Sequence, residues 1–144
     1  MFLGEYSHNI DAKGRIIIPA KFREQLGEHF VITKGFEGCL FVYPMQMWEE
    51  LAENMGKLPS NQKSARFLQR MFISGAADGE PDKQGKVLIT PAHREYAALS
   101  KEVTIIGVGK RVEIWDTQRW NEYSENEEEM SIEEAAENLE EFNF

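Results

Sequence analysis

Six short apolar runs, spread along the chain in two groups of three, dominate its pattern of hydrophobic and polar positions. The first group reads RIIIP, FVITK and CLFVY, and the second reads KVLIT, VTIIG and RVEIW. Runs of about five β-branched and other apolar residues between polar or glycine-containing segments are typical of β-strands. The pattern therefore predicts three strands in each half of the chain.

The two groups are copies of one internal repeat. Identical or similar residues coincide when the chain is shifted by 71 residues, and after a one-residue slip by 72. The coinciding pairs include Asp11 with Asp82, Gly14 with Gly85, Arg15 with Lys86, Arg23 with Arg94, Gly35 with Gly107 and Trp48 with Trp120. Each half is predicted as turn, strand, short helix, strand, tight turn, strand and helix, with the glycines of GFEG and GVGK in the tight turns.

Helices are predicted between and after the strands. Pro19 in the first half, and Thr90 followed by Pro91 in the second, are typical of helix starts. Apolar residues at helical spacing indicate longer helices, first at Trp48, Leu51, Ala52 and Met55, and then at Ala65, Leu68 and Phe72 beside a basic stripe of Lys63, Arg66 and Arg70. In the tail, Ser131 and Glu134 form a capping box before another apolar stripe.

The predicted fold is mainly β with short helices (α+β). Three strands of about five residues cannot bury both faces of a sheet, so neither half is expected to be stable alone. We expect the two halves to interlock into one barrel. The predicted halves are residues 5–50 and 76–123, joined by a helical segment at 51–75 and followed by an acidic helical tail at 124–144.

The charge is distributed unevenly, which changes what the composition excludes. The chain has 144 residues and a formal net charge of -9, but residues 122–144 hold ten of the 25 acids and no lysine or arginine. The remaining body has 15 acids and 16 bases, so the acidic total does not exclude a DNA-binding face. Cys39 is the only cysteine and is expected to be a small buried hydrophobe. No apolar run approaches the roughly 18 residues of a membrane span, so we expect a cytoplasmic, nucleoid-associated protein.

The segments DAKGR and DKQGK begin the two halves with the same pattern of acid, glycine and cation. An aspartate at the first position can accept hydrogen bonds from nearby backbone amides, and glycine at the fourth can adopt positive φ. The cation at the fifth position then leaves the turn at a fixed angle. The predicted DNA-binding residues are Lys13, Arg15, Lys83, Gln84 and Lys86, supported by Asp11, Gly14, Asp82 and Gly85. Alternatively, an Asp–Arg pair only closes each turn.

The two motifs, together with GRIIIPAKFRE, KVLITPAHREYA and GCLFVYP, resemble the MraZ family of bacterial transcriptional regulators, which have two AbrB-like halves. The resemblance covers residues 1 to about 125. It implies a double-split, swapped-hairpin β-barrel and a ring-shaped homo-oligomer, an octamer or a similar ring. It also implies repression of the division and cell-wall gene cluster through short direct repeats in promoter DNA. Lys86 stands where the family usually has arginine, which keeps the charge but loses the planar fork.

Two other functions compete with DNA binding. An enzyme is disfavoured because the three histidines are scattered and no nucleotide-binding or nucleophile motif has the required spacing, so no cofactor or metal is predicted. The stronger alternative is an AbrB-type, antitoxin-like module that binds a partner protein through the acidic tail. The tail could also shield the cationic turns. Deleting residues 125–144 separates these hypotheses, since shielding predicts tighter DNA binding and the interaction module predicts loss of a protein partner.

Overall fold

The two halves of the chain fold into the same order of seven elements. The computed structural model describes residues 1–126 and 128–139. In the first half the elements are β1 (Phe2–Asn9), β2 (Arg15–Ile17), α1 (Ala20–Leu26), β3 (Phe30–Lys34), β4 (Leu40–Pro44), α2 (Met45–Gly56) and α3 (Lys63–Ser74). In the second they are β5 (Ala77–Gly79), β6 (Lys86–Leu88), α4 (Pro91–Tyr96), β7 (Glu102–Gly109), β8 (Val112–Asp116), α5 (Thr117–Ser124) and α6 (Ile132–Glu137).

All six predicted strands are present, but the apolar pattern missed β1 and β5. Both lie at the edges of the sheet, so each pairs on one side only. In β1 only Phe2 is buried, and Gly4 interrupts the apolar pattern, while β5 is the three-residue segment ADG. Edge strands that bury few side chains lack the run of apolar residues by which strands are recognised in a sequence.

Strands from the two halves alternate in one six-stranded antiparallel sheet. The strand order is β1-β7-β8-β4-β3-β5, and β2 and β6 form a separate two-stranded antiparallel ribbon. Strand β1 of the first half pairs with β7 of the second, and β5 of the second half pairs with β3 of the first. The fold is therefore mainly β with short helices, as predicted. The described strands do not form a closed barrel.

The main core lies between the sheet and the ribbon and contains residues of both halves. Phe22 and Leu40 are fully buried in it, and the partly buried Tyr6 packs its ring against Phe22 at 5.2 Å. A second apolar cluster lies elsewhere and includes Cys39, Phe41, Met55 and Phe72. Cys39 is buried, as predicted, and burial raises the pKa of its thiol.

The predicted helices form with the expected ends and faces. Thr90 caps α4 by accepting a hydrogen bond from the His93 amide at 3.1 Å, and Ser131 caps α6 in the same way. Helix α3 buries Ala65 and Phe72, and the Thr33 hydroxyl donates to the Phe72 carbonyl at 2.8 Å. Part of the predicted tail, residues 127 and 140–144, lies outside the described residues. No helix among the described residues is long and apolar enough to cross a membrane.

The glycines of GVGK have two different roles, only one of which was predicted. Gly109, with φ of 76°, lies at the β7–β8 reversal. Gly107 instead lies inside β7, where a Cβ atom would come within 2.5 Å of the backbone of Phe2 and Leu3. Glycine is needed there because β1 approaches closely.

We expect Gly107→Ala to lower the free energy of unfolding by roughly 1–3 kcal/mol, since the added methyl group meets main chain that cannot rotate away. Denaturant unfolding measures the change. Gly56→Ala is the control, because no atom lies within 4 Å of a Cβ there and its φ is not positive. Equal stability of the two variants would contradict the close approach.

Candidate nucleic-acid interface

The first motif turn is built on the side chain of Asp11. Its Oδ1 accepts hydrogen bonds from the backbone amides of Lys13 at 2.9 Å and Arg15 at 2.8 Å. The Gly14 amide donates to the Asp11 carbonyl at 3.0 Å, and Gly14 has a φ of 82°. The roles predicted for the aspartate and the glycine are therefore present in the structure.

The second motif turn repeats this geometry. Oδ1 of Asp82 accepts from the amides of Gln84 at 2.8 Å and Lys86 at 2.9 Å, and Gly85 has a φ of 79°. The Gly85 amide donates to the Asp82 carbonyl at 2.9 Å. The matching backbone bonds show that the repeated motif encodes one turn conformation twice.

The ribbon of β2 and β6 joins the two turns. Ile16 pairs with Val87 and both are buried, so this pair attaches the ribbon to the core. The neighbouring positions on both strands point the other way, and they place Arg15 opposite Leu88 and Ile17 opposite Lys86. The outer face of the ribbon therefore carries two cations and two exposed aliphatic side chains.

The cations that begin the two strands contact the motif aspartates of both halves. Nε of Arg15 donates to Oδ2 of Asp11 at 2.9 Å, and its Nη1 lies 3.7 Å from Oδ2 of Asp82. Nζ of Lys86 lies 3.9 Å from Oδ2 of Asp11. The side chains of Arg15 and Lys86 are each 29% exposed, so they are braced and still reach the surface.

Three predicted site residues lie at the exposed tips of the turns. Lys13, Lys83 and Gln84 are exposed, and within the described part of the chain no ion pair involves either lysine. The structure thus brings all five predicted contact residues onto two turns and one ribbon. It also shows the alternative arrangement, an Asp–Arg pair that closes the first turn, so bracing and DNA contact must share Arg15.

Two arginines that were given no role in the sequence analysis support the turns from behind. The guanidinium of Arg94, in the second half, lies where a Cβ on Gly14 would be, and that of Arg23 lies in the same position against Gly85. Nε of Arg23 donates to the Ile18 carbonyl at 2.9 Å. The repeat contained the signal, because its register aligns Arg23 with Arg94. Each half therefore positions the motif turn of the other.

Hydrogen bonding lowers the pKa of both motif aspartates. For Asp11 the main cause is the bond from the Arg15 amide, and for Asp82 it is the bond from the Lys86 amide. Both carboxylates therefore remain charged well into acidic solution and keep the turns closed.

The two halves, the mainly β fold and the paired cationic turns define a two-repeat protein with a cation-bearing surface ribbon. A family model described as "MraZ protein, putative antitoxin-like" matches the chain twice, over residues 1–71 and 72–143. The chain belongs to the MraZ family.

Relatives named transcriptional regulator MraZ are similar over nearly their full length. Those from Heliobacterium modesticaldum and Carboxydothermus hydrogenoformans are 55% and 52% identical, over 100% and 99% of both chains. The relative from Lactobacillus delbrueckii subsp. bulgaricus is 52% identical over 96% of both chains. The resemblance inferred from the motifs is confirmed.

We expect Gly14→Ala to be more destabilising than Gly109→Ala. Both variants place alanine at positive φ, which costs about 1–2 kcal/mol, but only Gly14 faces a guanidinium, whereas nothing lies within 4 Å of Gly109. Adding Arg94→Ala to Gly14→Ala should recover part of the loss, with a coupling above about 0.5 kcal/mol in a double-mutant cycle. Additive effects would show that Arg94 does not support the turn.

We expect acid to destabilise the wild type more steeply than Asp11→Asn/Asp82→Asn. A carboxylate with a lowered pKa stabilises the fold above its ordinary value of 3.8, and that stabilisation is lost as the pH falls through the lowered value. The asparagine variant lacks this contribution, so the two stability curves should converge below about pH 4. Denaturant unfolding at a series of pH values measures both curves, and parallel curves would contradict the bracing.

Proposed function

We propose that this chain is a sequence-specific DNA-binding transcriptional regulator, a repressor, that contacts DNA through its two motif turns and the ribbon between them. The observation that carries the proposal is that matching turns present Lys13 and Lys83 at their exposed tips, with Arg15 and Lys86 on the ribbon face between. The names of the relatives support the same function. Being a regulator, the chain is not expected to be an enzyme.

The shape and chemistry of the ribbon suit duplex DNA. The major groove of B-DNA admits a two-stranded β-ribbon, and arginine can donate two hydrogen bonds to O6 and N7 of a guanine. In this proposal Arg15 contacts a base edge or a close phosphate, while Lys13, Lys83, Gln84 and Lys86 position the DNA backbone. Ile17 and Leu88, which are 39% and 57% exposed, lie beside the cations and suit contact with thymine methyl groups.

Assembly supplies the affinity that one near-neutral body lacks. We infer that residues 5–50 and 76–123 are the two AbrB-like halves of a double-split, swapped-hairpin barrel, joined through 51–75. The crossed pairing of β1 with β7 and of β5 with β3 supports such an interlock. A ring-shaped homo-oligomer would offer identical turns to short direct repeats in the promoter of the division and cell-wall genes, so that each further contact becomes intramolecular.

An antitoxin-like interaction module is the second candidate, because the family model carries that description. It predicts a protein partner whose binding does not depend on the motif cations. The cationic ribbon favours the first function.

We expect Arg15→Ala to weaken binding to promoter repeats by about 1–3 kcal/mol per engaged subunit, if Arg15 reads a base. Lys13→Ala should weaken binding to all DNA sequences alike and reduce the salt dependence. Titrations against operator and scrambled DNA at several fixed salt concentrations measure both effects.

Lys57→Ala is the matched control, because Lys57 is an exposed lysine at the end of α2 that pairs with Glu53 and belongs to neither turn. It should bind like the wild type. Arg15 also braces the turn, so the stability of each variant is measured in parallel. Unchanged operator affinity in a stable Arg15→Ala protein would remove Arg15 from the interface.

A further inference from the structure

An apolar surface that is covered in the first half of the chain is open in the second. In the first half, α3 places Phe72 against Trp48, with the rings stacked at 6.2 Å and 11°, and also against Phe41 at 6.0 Å. The repeat partner of Trp48 is Trp120, and α6 follows α5 as α3 follows α2. Helix α6 leaves Ile132 84% exposed and Leu139 59% exposed, so these described tail residues do not cover the equivalent surface.

The open surface is a groove of about 320 Å³ over β7 and β8. Its lining includes Phe36, Val108, Trp120 and Tyr123. Three of these are large apolar side chains with high exposure, namely Phe36 at 60%, Val108 at 41% and Tyr123 at 50%. Contiguous exposed apolar side chains of this kind mark interaction sites more often than isolated ones do.

Helix α3 has an outer face that matches this groove. Its inner face packs on its own half, but Phe67 and Met71 on the other side are 63% and 38% exposed. They lie four residues apart, so they form one apolar strip along the helix. Lys63, Arg66 and Arg70 lie beside that strip and make its border basic.

The borders of the two surfaces carry opposite charges. Glu37 lines the groove, and the exposed Glu122 and Glu125 lie at and just after the end of α5, next to Tyr123. The basic border of α3 and this acidic border suit each other, which favours a second copy of the chain over an acidic or uncharged partner.

We propose that the outer face of α3 in one copy docks into the groove of the next copy. This contact rests on the proposed ring and identifies the two surfaces that would form it. The helix face and the groove are different surfaces, so the contact is head-to-tail and can continue from copy to copy until a ring closes.

The test uses two full-length variants, each defective in one surface. Phe67→Glu/Met71→Glu removes the helix face, and Val108→Glu/Tyr123→Glu removes the groove. Sedimentation velocity without DNA should show an assembly for the wild type and monomers for each variant. An equal mixture should form dimers and nothing larger, because each pair has one intact contact.

Wild-type mass in either variant, a monomeric wild type, or an assembled mixture larger than a dimer would overturn the proposal. Thermal unfolding establishes that each variant is folded, and a folded pair that does not combine would also overturn it. Arg70→Glu leaves the apolar surfaces intact and should raise the dissociation constant about two- to fivefold, with the effect reduced by salt. An unchanged constant would contradict the charge match.

Ile132→Glu/Leu139→Glu is the matched control and tests the other occupant. These tail residues are exposed and apolar, so the variant should assemble like the wild type. Dissociation would show that the tail fills the groove instead. Mass is read without DNA, so a head-to-tail assembly that ignores promoter repeats would refute the proposed function alone.

Discussion

Pairing of strands across the two halves is the constraint on which the rest of the structure depends. The edge strand β1 finds its hydrogen-bond partner only in β7, and β5 finds its partner only in β3. The ribbon likewise takes one strand from each half, and Ile16 and Val87 together attach it to the core. Separating the halves would leave the backbone groups of these strands unpaired, which is costly when they are buried.

The same exchange builds the candidate site. Each motif turn closes on its own aspartate, but Arg15 reaches Asp82 and Lys86 reaches Asp11 across the ribbon. Arg94 and Arg23 then support the turn of the opposite half from behind. Two short motifs far apart in the chain therefore become one surface whose cations are held in place before any ligand arrives. Such preorganisation reduces the entropy lost on binding.

Charge segregation allows an acidic chain to carry this surface. Ten of its acids lie in residues 122–144, whereas the cations of both turns lie on the folded body. The acidic segment begins at the end of α5, beside the open apolar groove, and the basic border of α3 lies in the other half. The chain thus has a cationic ribbon for one kind of contact and a pair of oppositely charged apolar surfaces for another.

The sequence by itself determined the repeat, the six apolar strands, the helix caps and the conformation of the motif turns. These features depend on local chemistry: aspartate bonds its neighbouring amides, glycine accepts positive φ, and apolar spacing fixes which face is buried. Only the tertiary structure decided the edge strands β1 and β5, the role of Gly107 and the crossed contacts of Arg23 and Arg94. Each of these depends on which distant backbone segment lies alongside, and no periodicity within a single segment records that partner.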